Sequence, residues 1–139
     1  MNYLLDTCVI SELIKPKPNS KVLKWLRSCQ DEILFLSSLT IGEIQKGISK
    51  LPNSQKKTNL QDWMDNELIR RFEKRILGFN YKVAQKWGKI QASAEVAGTK
   101  MPVIDSLIAS IGISYEMTVV TRDISGMKNS GVKLFNPWA

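Results

Sequence analysis

The sequence contains no histidine, and this absence excludes more chemistry than any other feature of the composition. Without histidine the chain cannot build a Ser-His-Asp triad, a Cys-His pair or a histidine-ligated zinc site. It also lacks a glycine-rich phosphate loop, because its 8 glycines form neither G-x-G-x-x-G nor G-x-x-x-x-G-K. Carboxylates are the main groups that remain for catalysis, and they prefer hard cations such as Mg²⁺ and Mn²⁺.

Cysteines are few, and long apolar runs are missing. Cys8 and Cys29 show no metal-ligand spacing, so we expect both to be small core residues of a reduced protein. No apolar stretch approaches the roughly 18 residues that span a bilayer. Asp6 interrupts the short apolar run near the first residue, which argues against a signal peptide. We therefore expect a cytoplasmic protein with no membrane partner.

The length and charge of the chain indicate one basic domain. With 139 residues and 43% hydrophobic content, residues 1–139 can form a single domain with a real core. Lys and Arg number 20 against 13 Asp and Glu, which gives a net charge of +7. This excess is compatible with a polyanionic partner, although many soluble proteins share it. An acidic pocket inside such a basic surface is the layout expected of a metal-dependent nuclease.

Short apolar runs alternate with amphipathic stretches along the whole chain. Strands are predicted over residues 3–5, 33–36, 76–79, 118–121 and 132–135. The longer helices are predicted over residues 39–50, 55–74, 81–97 and 103–115. Because the strands are apolar throughout and alternate with helices, the pattern predicts an α/β fold with a parallel sheet.

Four acids share a position relative to these elements. Asp6, Glu43 and Asp123 each follow a predicted strand, and Asp105 opens a predicted helix. In a parallel α/β sheet the strand-to-helix junctions lie on one edge, so we expect these side chains to be neighbours. Their mutual repulsion would be relieved by a divalent cation, which can activate water toward a phosphodiester. We predict Asp6 and Asp105 as core ligands, with Glu43 and Asp123 completing the site directly or through water.

Each of these acids also fits an ordinary structural role. Asp6 could be a helix N-cap that accepts hydrogen bonds from the Cys8 or Val9 amide. Glu43 could close a capping box that begins at Thr40. Asp105 could interact favourably with the dipole of the helix that it opens, and Asp123 could start a turn. Each structural interpretation is favoured when its residue is taken singly, and only the conjunction of all four acids favours a metal site.

Five motifs follow one another in a fixed order along the chain. They are Leu4-Leu-Asp-Thr-Cys-Val-Ile-Ser-Glu-Leu13, Ser37-Ser38 with Glu43, Asp105-Ser-Leu-Ile-Ala109, Val119-Val-Thr-Arg-Asp123 and Asn136-Pro-Trp138. Together they resemble the PIN-domain ribonucleases, and most closely the VapC-type toxins of bacterial toxin–antitoxin pairs. Relatives often carry Asn where this chain has Asp123, and another acid a few residues later, where it has Gly126.

The resemblance implies a fold, an activity and partners. The fold would be a PIN-like three-layer α/β/α sandwich with a central parallel sheet of order 3-2-1-4-5. The activity would be Mg²⁺- or Mn²⁺-dependent endonucleolytic cleavage of tRNA or other structured RNA, leaving 5′-phosphate and 3′-hydroxyl ends. The protein would form a homodimer, inhibited by a cognate antitoxin. The family's catalytic and metal-binding acids correspond to Asp6, Glu43, Asp105 and Asp123.

Two other functions share part of this pattern. A non-catalytic PIN-like RNA-binding module would be expected to have lost one or more of the four acids, and none is lost here. An aspartyl-phosphate phosphatase also begins with a strand and an aspartate, but it needs D-x-D at that point. Residue 8 of this chain is cysteine, which argues against phosphatase chemistry.

Overall fold

The computed structural model describes all residues of the chain, 1–139. The strands are β1 (Tyr3–Leu5), β2 (Leu34–Ser37), β3 (Ile76–Leu77), β4 (Thr118–Val120) and β5 (Leu134–Phe135). The α-helices are α1 (Thr7–Leu13), α2 (Ser20–Ser28), α3 (Ser38–Ser49), α4 (Gln55–Trp63), α5 (Ile69–Phe72), α6 (Tyr81–Ala97) and α7 (Val103–Ser114). A π-helical segment over Met64–Leu68 joins α4 to α5, so the long helix predicted over residues 55–74 contains an irregular middle.

All five strands are parallel and form one sheet in the order β3-β2-β1-β4-β5. The predicted sheet type and strand order are therefore confirmed. Strand β1 lies at the centre, with Tyr3 paired to Leu34 on one side and Leu4 paired to Val119 on the other. Because β1 ends at Leu5, the next residue, Asp6, leaves the middle of the sheet at its carboxyl edge.

Helices cover both faces of the sheet, and each face has its own core. Successive side chains of a strand point to opposite faces, and Leu4 and Leu5 accordingly belong to different apolar clusters. Leu5 packs with residues from α1, α2, α3, α5 and the π-helical segment, whereas Leu4 packs with residues from α6 and α7. The predicted three-layer arrangement is confirmed by these two cores.

Capping residues explain where the long helix α6 begins and ends. The Asn80 side chain accepts a hydrogen bond from the Val83 amide at 3.0 Å, which satisfies a free donor of the first turn. Gly98 ends the helix with φ at +69°, a left-handed conformation that favours glycine. Both signals are local, and the predicted span of residues 81–97 is confirmed.

The start of α3 differs from the prediction. Ser37, not Thr40, is the N-cap, and its hydroxyl accepts a hydrogen bond from the Thr40 amide at 3.1 Å. Strand β2 runs into α3 without a loop, so the helix begins at Ser38 and Glu43 lies in its second turn. The capping box proposed for Thr40 and Glu43 is therefore wrong, and the Glu43 carboxylate is not used as a cap.

The first turn of α7 is more exposed than the rest of the helix. Val103 is 56% exposed and Ile104 is 38% exposed, whereas Ile108 and Ile111 are buried against the sheet. None of the seven α-helices has the length and apolar composition needed to cross a bilayer.

Glu12 ties three distant parts of the chain together. Its carboxylate is nearly inaccessible, at 4% exposure. It accepts hydrogen bonds from the Asn19 amide at 3.0 Å, the Lys15 ammonium at 3.1 Å and the Trp138 indole at 3.3 Å. These donors favour the charged form and lower the pKa of Glu12, with the Asn19 amide as the largest cause. The end of the chain is thus fastened to α1 and to the start of α2.

We expect Glu12→Gln to lower the thermal midpoint of unfolding at pH 7 much more than at pH 3. A carboxylate with a lowered pKa stabilises the fold above its ordinary pKa, and this contribution is lost as the pH falls through the folded-state value. Thermal melts of wild type, Glu12→Gln and the exposed control Glu95→Gln at both pH values would measure the effect. An equal loss at pH 7 and pH 3 would contradict a charge-dependent role for Glu12.

Candidate active site

A pocket of about 500 Å³ opens at the carboxyl edge of the sheet. Its lining consists of four acids and three other residues: Asp6, Glu43, Asp105, Asp123, Thr7, Cys8 and Arg122. All four acids singled out in the sequence thus meet in one pocket.

The sheet topology explains why residues so far apart in sequence become neighbours. Asp6 follows β1, Glu43 lies in the helix that follows β2, and Asp123 comes shortly after β4. These three strands are adjacent and parallel, so their carboxyl ends meet at one edge. Asp105 reaches the same edge from the first turn of α7, directly after Pro102 at the helix N-cap.

Asp6 serves as a helix cap and as a pocket residue at once. Its carboxylate accepts hydrogen bonds from the Thr7 amide at 2.8 Å and the Thr121 hydroxyl at 2.8 Å, and the Cys8 thiol lies 3.8 Å away. The expected side-chain bond from the Cys8 or Val9 amide is not formed. The Val9 amide instead donates to the main-chain carbonyl of Asp6 at 3.0 Å. The structural and functional interpretations of Asp6 are therefore compatible.

Burial makes the negative charge of Asp6 costly. The side chain is only 8% exposed, and this desolvation raises the pKa of Asp6 above its ordinary value. Hydrogen bonds from Thr121 and Thr7 oppose the shift, whereas the nearby charge of Glu43 adds to it. A positive ion beside Asp6 would remove this cost.

Asp105 shows most directly that the carboxylates interact. Its pKa is raised to about 6, first by desolvation and then by the negative charges of Asp6, Asp123 and Glu43. All of these causes raise the pKa, and no hydrogen bond opposes them. At neutral pH the pocket therefore concentrates negative charge.

Two threonine hydroxyls orient two of the acids. The Thr7 hydroxyl donates to Glu43 Oε1 at 2.5 Å, and the Thr121 hydroxyl donates to Asp6 Oδ2 at 2.8 Å. Because Thr7 and Thr121 follow β1 and β4 closely, the central strands fix the direction of both carboxylates.

Asp123 begins a short turn, as the sequence predicts. Its Oδ1 accepts hydrogen bonds from the Ser125 hydroxyl at 2.9 Å and the Gly126 amide at 3.3 Å. The Asp123 amide in turn donates to the Thr121 hydroxyl at 3.1 Å. Asp123 is thereby linked through Thr121 to Asp6, although the two acids lie far apart in sequence.

The donors of the pocket suit a hard divalent cation in type and charge. They are carboxylate oxygens, which Mg²⁺ and Mn²⁺ prefer, and desolvation together with the neighbouring carboxylates raises the pKa of Asp105 to about 6. No three Asp, Glu or Cys side chains already converge as a ready-made set of metal ligands. Ligation of an ion would therefore require these side chains to move closer together.

Two lining residues were not predicted as part of the site. Arg122 is exposed at the rim, and its guanidinium lies 5.6 Å from the centre of the Trp138 ring. Cys8 packs partly against the core, as expected, but it also lines the pocket. Burial raises the pKa of the Cys8 thiol, so it remains protonated at neutral pH. The sequence offered one signal for both residues: Cys8 belongs to the motif that carries Asp6, and Arg122 directly follows Thr121.

Comparisons with known proteins agree with this architecture. The sequence model of the family described as "PIN domain" matches residues 3–128. Toxin FitB of Neisseria gonorrhoeae is 36% identical over 97% of either chain. VapC ribonuclease Y4jK of Sinorhizobium fredii is 31% identical, with 97% of this chain and 96% of that protein covered.

Solved structures give the same result. A chain of the structure of FitAB bound to an IR36 DNA fragment superposes with a TM-score of 0.94 and 37% identity, covering 99% of this chain and 96% of that chain. A chain of VapBC2 from Rickettsia felis, bound to a promoter DNA fragment, superposes with a TM-score of 0.79 and 28% identity over 98% of either chain.

Proposed function

Because the chain belongs to the PIN-domain family, we propose that it is the toxin of a type II toxin–antitoxin pair and acts as a divalent-metal-dependent endoribonuclease. The observation that carries this proposal is the meeting of Asp6, Glu43, Asp105 and Asp123 in one pocket. The ribonuclease name of the relative from Sinorhizobium fredii supports the same activity.

Asp6 and Asp105 would hold the metal, with Glu43 and Asp123 completing its coordination directly or through water. A bound Mg²⁺ or Mn²⁺ would lower the pKa of a coordinated water and polarise the phosphate. Thr7 and Thr121 keep the Glu43 and Asp6 carboxylates in fixed orientations. Attack of water on phosphorus, with loss of the 3′ oxygen, leaves a 5′-phosphate and a 3′-hydroxyl end. No histidine or covalent enzyme intermediate is needed.

The charge distribution suits an RNA substrate such as tRNA or another structured RNA. The chain carries a net charge of +7 although four of its acids gather in the pocket. The remaining surface is therefore strongly basic, and Arg122 stands at the pocket rim where it can meet a phosphate. We place the protein in the cytoplasm, where such RNA is found.

The partners follow from the relatives. The similar FitAB and VapBC2 structures are complexes bound to DNA, and VapC-type toxins resemble this chain over nearly its full length. We propose that this chain likewise binds a cognate antitoxin that blocks its pocket, and that it forms a homodimer.

Cleavage of RNA by the purified wild-type protein tests the proposal. We expect tRNA or other structured RNA to be cut with Mg²⁺ or Mn²⁺, and the new ends to carry 5′-phosphates detectable by adaptor ligation. Expression of the chain should arrest growth, and co-expression of the neighbouring small reading frame should restore it. Tight RNA binding without cleavage in either metal would instead support a non-catalytic RNA-binding module.

A further inference from the structure

We infer that Trp138 holds the Arg122 guanidinium away from the carboxylates of the pocket, which leaves the carboxylates free for a metal ion and the guanidinium free for a phosphate of the RNA. Arg122 thus binds the substrate, and Trp138 is a positioning residue that acts through it. The inference rests on the proposed function, because it assigns the cation and the RNA phosphate of that pocket to separate groups of the protein.

Arg122 is the one basic residue in the lining of a pocket that also contains four acids. Attraction between opposite charges is expected to draw its guanidinium onto one of these carboxylates. Yet Arg122 forms no ion pair: the two ion pairs of the chain join Lys15 to Glu12 and Arg71 to Asp31. A group other than the acids of the pocket therefore decides where this guanidinium lies.

The ring of Trp138 is the group that the guanidinium contacts instead. The central carbon of the Arg122 guanidinium lies 5.6 Å from the centroid of the ring, within the roughly 6 Å over which a cation is attracted to an aromatic face. The main chain of Arg122 is held separately, because its amide donates to Cys8 Sγ at 3.4 Å. The side chain thus starts from a fixed point and has two possible partners, the ring and the carboxylates, and it lies against the ring.

Trp138 is fixed firmly enough to support another side chain. Its indole N–H donates to Glu12 Oε1 at 3.3 Å, and its main-chain amide donates to Asn136 Oδ1 at 2.9 Å. The half-buried ring packs against the apolar cluster that contains Leu5. Because Leu5 ends β1 and Glu12 lies in α1, the ring is tied to the same two elements that flank Asp6.

An arginine held in this way suits a phosphodiester oxygen. Its planar guanidinium presents N–H donors in a fork that matches two oxygens of a phosphate. An aromatic ring offers these donors no oxygen, so they remain available to a ligand. Because Arg122 lines the same pocket as the four acids, a phosphate that approaches the acids comes within reach of its guanidinium.

The strength of the contact between ring and guanidinium predicts what loss of the ring would do. A cation–π contact changes an equilibrium by about 2- to 5-fold at an exposed site and by about 30-fold when it is desolvated. Without the ring, the guanidinium would pair with the carboxylates more often and compete with the metal for them. Trp138→Leu should therefore weaken metal binding, but only in a protein that still has Arg122.

The first measurement is a double-mutant cycle on Mn²⁺ binding, followed by titration calorimetry without RNA. We expect Trp138→Leu to weaken Mn²⁺ binding by roughly 2- to 30-fold in the wild-type background and to have no effect in the Arg122→Gln background. Trp138→Phe is the matched control. It loses the indole N–H just as Trp138→Leu does, but it keeps an aromatic face and should recover most of the affinity.

The second measurement is the binding of bulk tRNA to the metal-free protein in EDTA over a range of salt concentrations. We expect Arg122→Gln to lower the affinity at least about tenfold and to reduce the slope of its salt dependence by about one. Arg27→Gln is the control, since it removes the same charge from an exposed arginine in the last turn of α2, outside the pocket. It should change the affinity and the slope little.

Equal weakening of Mn²⁺ binding by Trp138→Leu with and without Arg122 would overturn the inference, because Trp138 would then only support the fold. Equal effects of Arg122→Gln and Arg27→Gln on tRNA binding would overturn it as well. If Trp138→Leu does not fold, Trp138→Met replaces it, since the flexible methionine fills irregular space and also lacks a π-face.

Neither measurement depends on cleavage, so the two proposals can fail separately. A wild-type protein that gives both expected results but cuts no RNA would count against the proposed function alone. A wild type that cuts RNA with Mn²⁺, while Trp138→Leu binds the ion as tightly as wild type, would overturn only the role of Trp138 and Arg122. A wild type that binds no divalent ion would overturn both.

Discussion

Asp6→Asn is expected to reduce metal-dependent RNA cleavage by roughly 10²- to 10³-fold or more while the fold stays intact. Asparagine has nearly the same shape: its oxygen can accept from the Thr7 amide, and its NH2 group can donate to the Thr121 hydroxyl oxygen, the two groups that hold Asp6 in wild type. The substitution removes the charge that a cation would need. Cleavage rates at saturating Mg²⁺ and toxicity on expression would measure the effect.

The stability of Asp6→Asn separates loss of the site from loss of the fold. Because burial raises the pKa of Asp6, its ionised form is unfavourable at neutral pH, and neutral asparagine should leave the metal-free thermal midpoint equal or higher. Added Mg²⁺ should raise the midpoint of wild type but not of the variant. The exposed Asp62→Asn on α4 serves as the control. Full-rate cleavage by Asp6→Asn would contradict the proposal that Asp6 is a core metal ligand.

Removal of the divalent ion is the second large effect. We expect EDTA to abolish cleavage and added Mg²⁺ or Mn²⁺ to restore it, with metal affinity that falls about tenfold for each pH unit below 6. The reason is that the pKa of Asp105 is raised to about 6, so a proton competes with the ion for this carboxylate. The pKa of Asp6 is raised as well. The pH midpoint of metal binding would therefore report on the carboxylate cluster as a whole and not on one residue.

The sign of the stability effect follows from the same shift. A carboxyl whose folded pKa is raised destabilises the metal-free protein as the pH climbs through that value, which is about 6 for Asp105. The rise in thermal midpoint caused by Mg²⁺ should accordingly be larger at pH 7.5 than at pH 5. Asp105→Asn should bind metal weakly and flatten this dependence. A metal effect of equal size at both pH values would contradict the assignment of Asp105.

Local signals in the sequence predicted the elements that position the site. Continuous apolar runs indicated the strands, and helical spacing of apolar residues indicated α6. The caps that the structure shows at Asn80 and Gly98 depend on interactions within about one helical turn. The parallel sheet followed from the alternation of strands and helices. Its strand order came from the family resemblance, and both are confirmed by the pairing of β1 with β2 and β4.

Errors arose where packing overruled a local motif. Thr40 and Glu43 match a capping box, yet β2 joins α3 so directly that Ser37 becomes the N-cap. The Glu43 carboxylate instead accepts a hydrogen bond from the Thr7 hydroxyl. Cys8 was expected only in the core, but α1 begins at the sheet edge and places it against the pocket. In both cases the deciding partner lies outside the motif.

The sequence by itself determined the available chemistry, since a chain without histidine or a phosphate loop leaves carboxylates to do the work. It also determined which acids follow strands, because that order is linear. Only the tertiary structure decided how these acids interact: Thr121 meets Asp6 across 115 residues, and Gly126 meets Asp105 from a different element. Such contacts depend on distances that exist only once the strands and helices have packed, and so do the desolvation and neighbouring carboxylates that raise the pKa of Asp105 to about 6.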